Sequence, residues 1–238
     1  MDTELIKNKN YYDLSSQEDY KKYQIKQKEM WKTKWYKTRA PFEYLLVSTT
    51  IGKLKAVKHR HVEMICLGAR NNFERDAFKS FLATIGHNID VYSLDIADEA
   101  DVDYCYDFEK LPEYWEDRFD IIYTNAADHS FNFHNCLKEW NRVLKNDGLL
   151  ILGIADQDML DDEIEGEPAE VIGVTQPGAH GCTIFDKQSV DLMCSEYFDS
   201  VNFVKSKKHI IEMGDEIYEY HLQYNYWFCV KKKNKNQE

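Results

Sequence analysis

Apolar and polar positions follow a clear rhythm from about residue 62 onward. Val62 to Leu67 is a short apolar run stopped by Gly68. Phe73, Ala77, Phe78, Phe81 and Leu82 then recur at helical spacing. A brief apolar run bounded by a turn residue predicts a strand, and the 3.6-residue recurrence predicts a helix. The same alternation continues. Ile89 to Leu94 predicts a second strand closed by Asp95, and Val102 to Tyr106 a short third one closed by Asp107. Phe119 to Asn125 predicts a fourth strand. Cys136, Leu137, Trp140, Val143 and Leu144 mark one side of the next helix, Asn146, Asp147 and Gly148 form a turn signal, and Leu149 to Ile154 predicts a further strand. Strands alternating with helices of this length imply a parallel sheet covered on both faces. Right-handed crossovers would bring the strand C-terminal ends to one edge, where ligands bind in such sheets.

The flanking stretches read differently. In residues 1–60, Tyr20, Tyr23, Met30, Trp31 and Trp35 recur at near-helical spacing among Lys21, Lys22, Lys26, Lys28, Lys32 and Lys34. That pattern predicts an amphipathic helix with a basic outer face, docked on the body, closing over a site or serving as a nucleic-acid arm. Pro41 ends this segment or opens a further helix from Phe42 to Ala56. Beyond the central region, Asp156 to Glu170 is an acidic loop, and Asp186 suits the N-cap of a helix reaching Cys194. Strands are expected near Ser200 to Lys205 and His221 to Val230. The resulting division is a helical extension or lid over 1–60, a main domain over 61–230, and a charged, disordered tail over 231–238.

Composition narrows the picture. With 238 residues, 43% hydrophobic and 30% charged, the chain suits one globular domain with an extension. No run reaches the roughly 18 apolar residues of a membrane helix, and the N-terminus lacks a signal-peptide core, so the expectation is a cytoplasmic protein. The net charge of −12 disfavours nucleic acid as a partner, because phosphate binding is driven by cationic side chains. The six cysteines form no C-x-x-C pair, and Cys66, Cys105 and Cys229 lie in apolar runs where a thiol serves as a small hydrophobe.

Four constellations fall on the expected ligand edge. Gly68, between strand and helix, lets the backbone approach a ligand, and the helix behind it offers free N–H groups to a carboxylate. Only one glycine is present, so the dinucleotide pattern G-x-G-x-x-G is absent. Asp95, at the end of the next strand, can accept both hydroxyls of a ribose. Asp107 and Phe108 offer an edge to bond and a ring to pack against a base; the structural alternative is a turn residue beside a core phenylalanine. Asp128 and His129 are adjacent in the run from Asn125 to Phe133, and histidine is the most frequent general base. Their structural alternative is a helix cap beside a packed or solvated histidine.

Together these stretches resemble the class I S-adenosylmethionine-dependent methyltransferases. The resemblance is carried by C-L-G-A-R-x-x-x-E, Asp95, D-F-x-x-L-P, F-D-x-x-Y-T-N-x-x-D-H and, most specifically, E-W-x-R-V-L-K-N-D-G-L-L-I-L from Glu139 to Leu152, over about residues 62–205. It implies a Rossmann-like α/β three-layer sandwich, with a mostly parallel seven-stranded sheet, an antiparallel last strand and an N-terminal helical extension. It implies S-adenosylmethionine as cofactor and S-adenosylhomocysteine as product. Gly68 would contact the methionine part, Asp95 the ribose, Asp107 and Phe108 the adenine, and Asn125 would lie near the sulfonium and the transferred methyl, with Ala69, Arg70, Glu74 and Ile96 also binding the cofactor. The family's common loop is G-x-G-x-G, whereas Ala69, Arg70, Asn71 and Asn72 follow Gly68 here. L-G-A-R-x-x-x-E with N-x-x-D-H-x-F is similar to a subgroup of small methyltransferases encoded beside glycosyltransferases.

That subgroup implies a sugar hydroxyl of a glycan or nucleotide sugar as acceptor, with His129 as general base, Asp128 as its partner and His180 as a second candidate. Association with a glycosyltransferase is an expectation of the same kind. The alternatives are O- or N-methylation of a small metabolite and a non-catalytic binding protein on the same fold. A divalent metal held by Asp128, His129, Asp156 and Asp158 is a minor variant.

Overall fold

The computed structural model of the chain describes residues 9–10, 41–53, 61–69, 71–96, 100–130, 132–155, 183–184, 187–205, 208–213, 216–221 and 224–232. The basic helix expected over 20–35, the acidic loop after Asp156, and His180 lie outside these residues. In chain order the elements are β1 (Lys9–Asn10), α1 (Pro41–Lys53), β2 (Val62–Leu67), α2 (Phe73–Thr84), β3 (Ile89–Asp95), β4 (Tyr104–Cys105), β5 (Phe119–Thr124), α3 (Phe133–Val143) and β6 (Leu144–Ala155). There follow β7 (Thr183–Ile184), α4 (Lys187–Tyr197), β8 (Phe198–Val204), β9 (Lys208–Met213), β10 (Glu216–His221) and β11 (Tyr224–Lys231).

Seven strands form one sheet in the order β4-β3-β2-β5-β6-β11-β8. The first five run parallel, and β11 is antiparallel to both β6 and β8. This is the expected mixed sheet. β5 is buried at every position, as a central parallel strand must be when helices cover both faces. On one face α1 and α2 pack Tyr44, Val47, Ile51, Phe78 and Leu82 against β2, β3 and β5. On the other, α3 and α4 pack Phe133, Leu137, Trp140, Val190 and Met193 against the same sheet. Helix α1, within the stretch set apart as an extension, thus contributes its buried face to the core. Lys231, at the start of the stretch set apart as a tail, ends β11, and its buried ammonium donates to the Leu144 carbonyl.

The turn signal at Asn146 to Gly148 appears as an excursion within β6. Phe119 pairs with Leu144 and Ile121 with Leu149, so the intervening residues bow out, with Asp147 at φ 60°. Two features differ from the sequence reading. Cys105 is exposed rather than packed, because β4 is an edge strand only two residues long. A hairpin, β9 paired antiparallel with β10, also stands between β8 and β11 where no element was expected.

After β2 the chain runs outward to β3 and β4, then returns to β5 on the far side of β2. Loops leaving β2 and β5 therefore diverge to opposite sides of the sheet. The gap between their C-terminal ends is the switch point at which open α/β sheets bind ligands.

Candidate active site

Gly68 follows β2 at this switch point with φ +70°, a left-handed conformation that strains any L side chain. A Cβ there would stand 2.6 Å from the Ala126 Cβ and 3.7 Å from the Phe108 ring. The glycine thus serves both backbone conformation and close approach, and it brings the turns after β2, β4 and β5 into contact. Ala69 N–H donates to the Leu94 carbonyl at 2.9 Å, tying the same turn to β3.

The departure from a glycine-rich loop has a local explanation. Asn71 Oδ1 accepts the Phe73 N–H at 2.9 Å, covering one of the orphan donors at the start of α2. Asn72 Oδ1 lies 2.7 Å from the Ser93 hydroxyl, which also reaches Asp103 Oδ2 at 3.0 Å. Asp103 accepts the Ser93 N–H and the Arg75 guanidinium, at 2.8 and 2.9 Å. Two asparagines therefore brace the turn with side-chain bonds. Arg70 itself lies outside the described residues.

Asp95 ends β3 and is 8% exposed, with its carbonyl accepting the Tyr106 N–H. Ile96 follows, exposed on the edge. Asp107 Oδ1 accepts the Glu109 N–H at 2.9 Å and so holds its own turn. Phe108 packs edge-on against Trp140, whose indole N–H donates to the Phe108 carbonyl at 3.0 Å. The ring is mostly buried while its edge lies against Gly68.

Asn125 closes β5 across the switch point. Its amide nitrogen donates to Glu74 Oε1 at 2.7 Å and to the Tyr123 hydroxyl at 3.0 Å. Glu74, in the first turn of α2, also accepts the Tyr44 hydroxyl at 3.1 Å. Tyr123 and Tyr226 bring their hydroxyls to 3.5 Å, and a Cβ on Gly153 would meet the Tyr226 ring at 2.9 Å and the Asn125 Cβ at 3.2 Å. Tyr44, Tyr123, Tyr226 and Gly153 were not singled out from sequence. Usable signals were a tyrosine inside the apolar run of β5, whose buried hydroxyl needs a partner, and an isolated glycine in β6.

Residues Ala127 to His129 form a 3-10 turn directly after Ala126. The His129 N–H donates to the Ala126 carbonyl at 3.0 Å. The His129 ring nitrogen lies 4.0 Å from Asp128 Oδ1, an electrostatic contact too long for a hydrogen bond. Both side chains are mostly buried. β7, paired with β1, rests against this turn. Among the described residues no group of histidine, cysteine or acidic side chains has a metal-binding arrangement, and Asp156 and Asp158 lie outside them.

Residues 66–152, from the end of β2 to the middle of β6, match the family model of a methyltransferase domain. That stretch is similar to a methyltransferase domain. No curated protein matches its sequence. Among solved structures, the YcgJ protein of Bacillus subtilis superposes with a TM-score of 0.55 at 15% identity, covering 81% of this chain and 100% of that one. A SAM-dependent methyltransferase of Thermotoga maritima, described as a possible histamine N-methyltransferase, gives 0.51 at 16% identity over 81% and 90%. Likeness at this identity speaks for the fold, and the fold is that of the class I methyltransferases. S-adenosylmethionine is the cofactor such a domain implies. The residues present suit it: a cradle at Gly68 that a Cβ would fill, an acidic strand end at Asp95, and a partly covered aromatic edge at Phe108.

Proposed function

We propose that this S-adenosylmethionine-dependent methyltransferase acts on a sugar hydroxyl, in a glycan or a nucleotide sugar, and works beside a glycosyltransferase. The observation that carries the reading is the meeting of Gly68, Phe108 and Ala126 at the switch point, one residue before the turn bearing Asp128 and His129. The sugar acceptor is supported by the two sequence motifs, L-G-A-R-x-x-x-E and N-x-x-D-H-x-F, that frame this same cleft.

When bound, the cofactor supplies an electrophilic methyl group and leaves as S-adenosylhomocysteine. The protein's part is to hold, orient and deprotonate. The Gly68 turn and the N–H groups opening α2 receive the carboxylate of the methionine portion. Asp95 accepts the ribose hydroxyls, and Asp107 with Phe108 flanks the adenine. His129 takes the proton of the acceptor hydroxyl. At 4.0 Å, Asp128 stabilises the resulting imidazolium through its charge rather than through a hydrogen bond. His180 stands as the second candidate base. Holding the acceptor oxygen in line with the methyl supplies much of the acceleration.

The test is methyl transfer from radiolabelled S-adenosylmethionine to a panel of nucleotide sugars, free sugars and small amines. Label in the sugar fractions, lost in the His129→Ala variant, supports the reading. Label confined to amines overturns the acceptor class. S-adenosylhomocysteine binding without turnover on any acceptor favours a binding protein, and full activity in excess chelator removes the metal variant.

A further inference from the structure

The buried polar network under Asn125 joins four elements around the cleft. Tyr44 on α1 and Asn125 after β5 converge on the same oxygen of Glu74, on α2. Asn125 continues the chain to Tyr123 on β5, which meets Tyr226 on β11. All five side chains are buried. A polar network at such depth fixes a geometry.

The geometry it fixes is the orientation of one amide. Glu74 Oε1 accepts from both the Tyr44 hydroxyl and the Asn125 amide, so Asn125 turns its NH2 toward Glu74. Bonds to Glu74 Oε1 and the Tyr123 hydroxyl use both amide hydrogens. The carbonyl oxygen, at the other end of the same planar group, is then directed away from the network. Asn125 directly follows β5, on the switch point. Without Glu74 the amide could rotate by half a turn and offer a donor instead.

We infer that Glu74 is a positioning residue for the cofactor, fixing the Asn125 amide so that its carbonyl oxygen accepts the α-ammonium group of the bound molecule. Of the two cationic groups of S-adenosylmethionine, only the ammonium carries N–H donors, and only it persists in S-adenosylhomocysteine. The assignment rests on the methyltransferase reading. It moves Glu74 from contact with the cofactor to action through another residue.

The test uses the full chain and two ligands in calorimetric titration: S-adenosylhomocysteine, which carries the ammonium, and 5′-methylthioadenosine, which lacks the amino-acid portion. In Glu74→Gln, which keeps the shape but allows the amide to invert, affinity for S-adenosylhomocysteine falls about tenfold while 5′-methylthioadenosine binds as before. Asn125→Ala gives the same selective loss. The double variant loses no more than either single one, because both act through one contact. Parallel weakening of both ligands, additive losses, or an unchanged ratio overturns the inference, with thermal melts showing that each variant is folded. Failure of the wild-type protein to bind either ligand instead overturns the methyltransferase reading, and the inference with it.

Discussion

The two halves of the cleft are built differently. On the side of β2, β3 and β4, side chains brace the turn after β2: Asn71 covers the start of α2, while Asn72, Ser93, Asp103 and Arg75 pin it to the neighbouring strand. On the side of β5 and β6, the Ala127 to His129 turn is held by two backbone bonds, to Ala126 and Ala127, with β7 leaning on it. On the proposed function, the half that would receive one unchanging cofactor gains from a rigid frame, since pre-organisation removes ordering costs from binding. On the same proposal, the half that would meet the acceptor needs only one well-placed base on a short turn. Its selectivity is left to neighbouring loops, where binding and catalytic residues concentrate.

That contrast predicts a clean division between turnover and cofactor affinity. The largest effect is expected in His129→Ala. Methyl transfer slows by about 10² to 10⁴, the usual contribution of a general base, while calorimetry shows S-adenosylhomocysteine binding unchanged. Loss of cofactor affinity in that variant would break the division. Gly68→Val comes next. It forces a β-branched side chain into φ +70° and against Ala126, so stability falls by about 1–3 kcal/mol and cofactor affinity by about 100-fold. Retained affinity would show that the β2 turn does not hold the ligand.

Two smaller effects sharpen the comparison. Asn72→Ala removes one brace while Asp103 still holds Ser93. Chemical denaturation should register about 0.5–1.5 kcal/mol, with a modest weakening of S-adenosylhomocysteine. Tyr44→Phe removes one donor to Glu74 and leaves the Asn125 bond in place. A similar stability loss with no change in affinity is expected, since the bond between Asn125 and Glu74 remains.

The central fold was legible in sequence because its strands are buried on both faces and read as unbroken apolar runs, as in β2 and β5. Gly68 and Asp95 stood out for a related reason, since they close β2 and β3 where the apolar pattern breaks, and Phe108 lies in the turn after β4. The Glu74 network was not, because its members lie at 44, 74, 123, 125 and 226 and meet only after folding. Glu74 was visible as part of a motif, but its partners give no spacing to read. The hairpin of β9 and β10 was missed because Ile210, Ile211, Ile217 and Tyr218 are interspersed with charged residues and yield no clean alternation. Cys105 read as buried because short apolar runs look alike whether a strand is central or, like β4, at the edge.

Calorimetric titration of the wild-type chain and Asp95→Ala with S-adenosylhomocysteine tests the cofactor site most directly. Asp95 ends β3, braced by neighbouring turns, and its removal leaves the Gly68 cradle untouched. Micromolar binding by the wild-type protein, weakened about 10- to 100-fold in the variant, is the predicted result. A folded wild-type protein that does not bind, or a variant that binds equally well, would contradict the placement of the cofactor along this edge of the sheet.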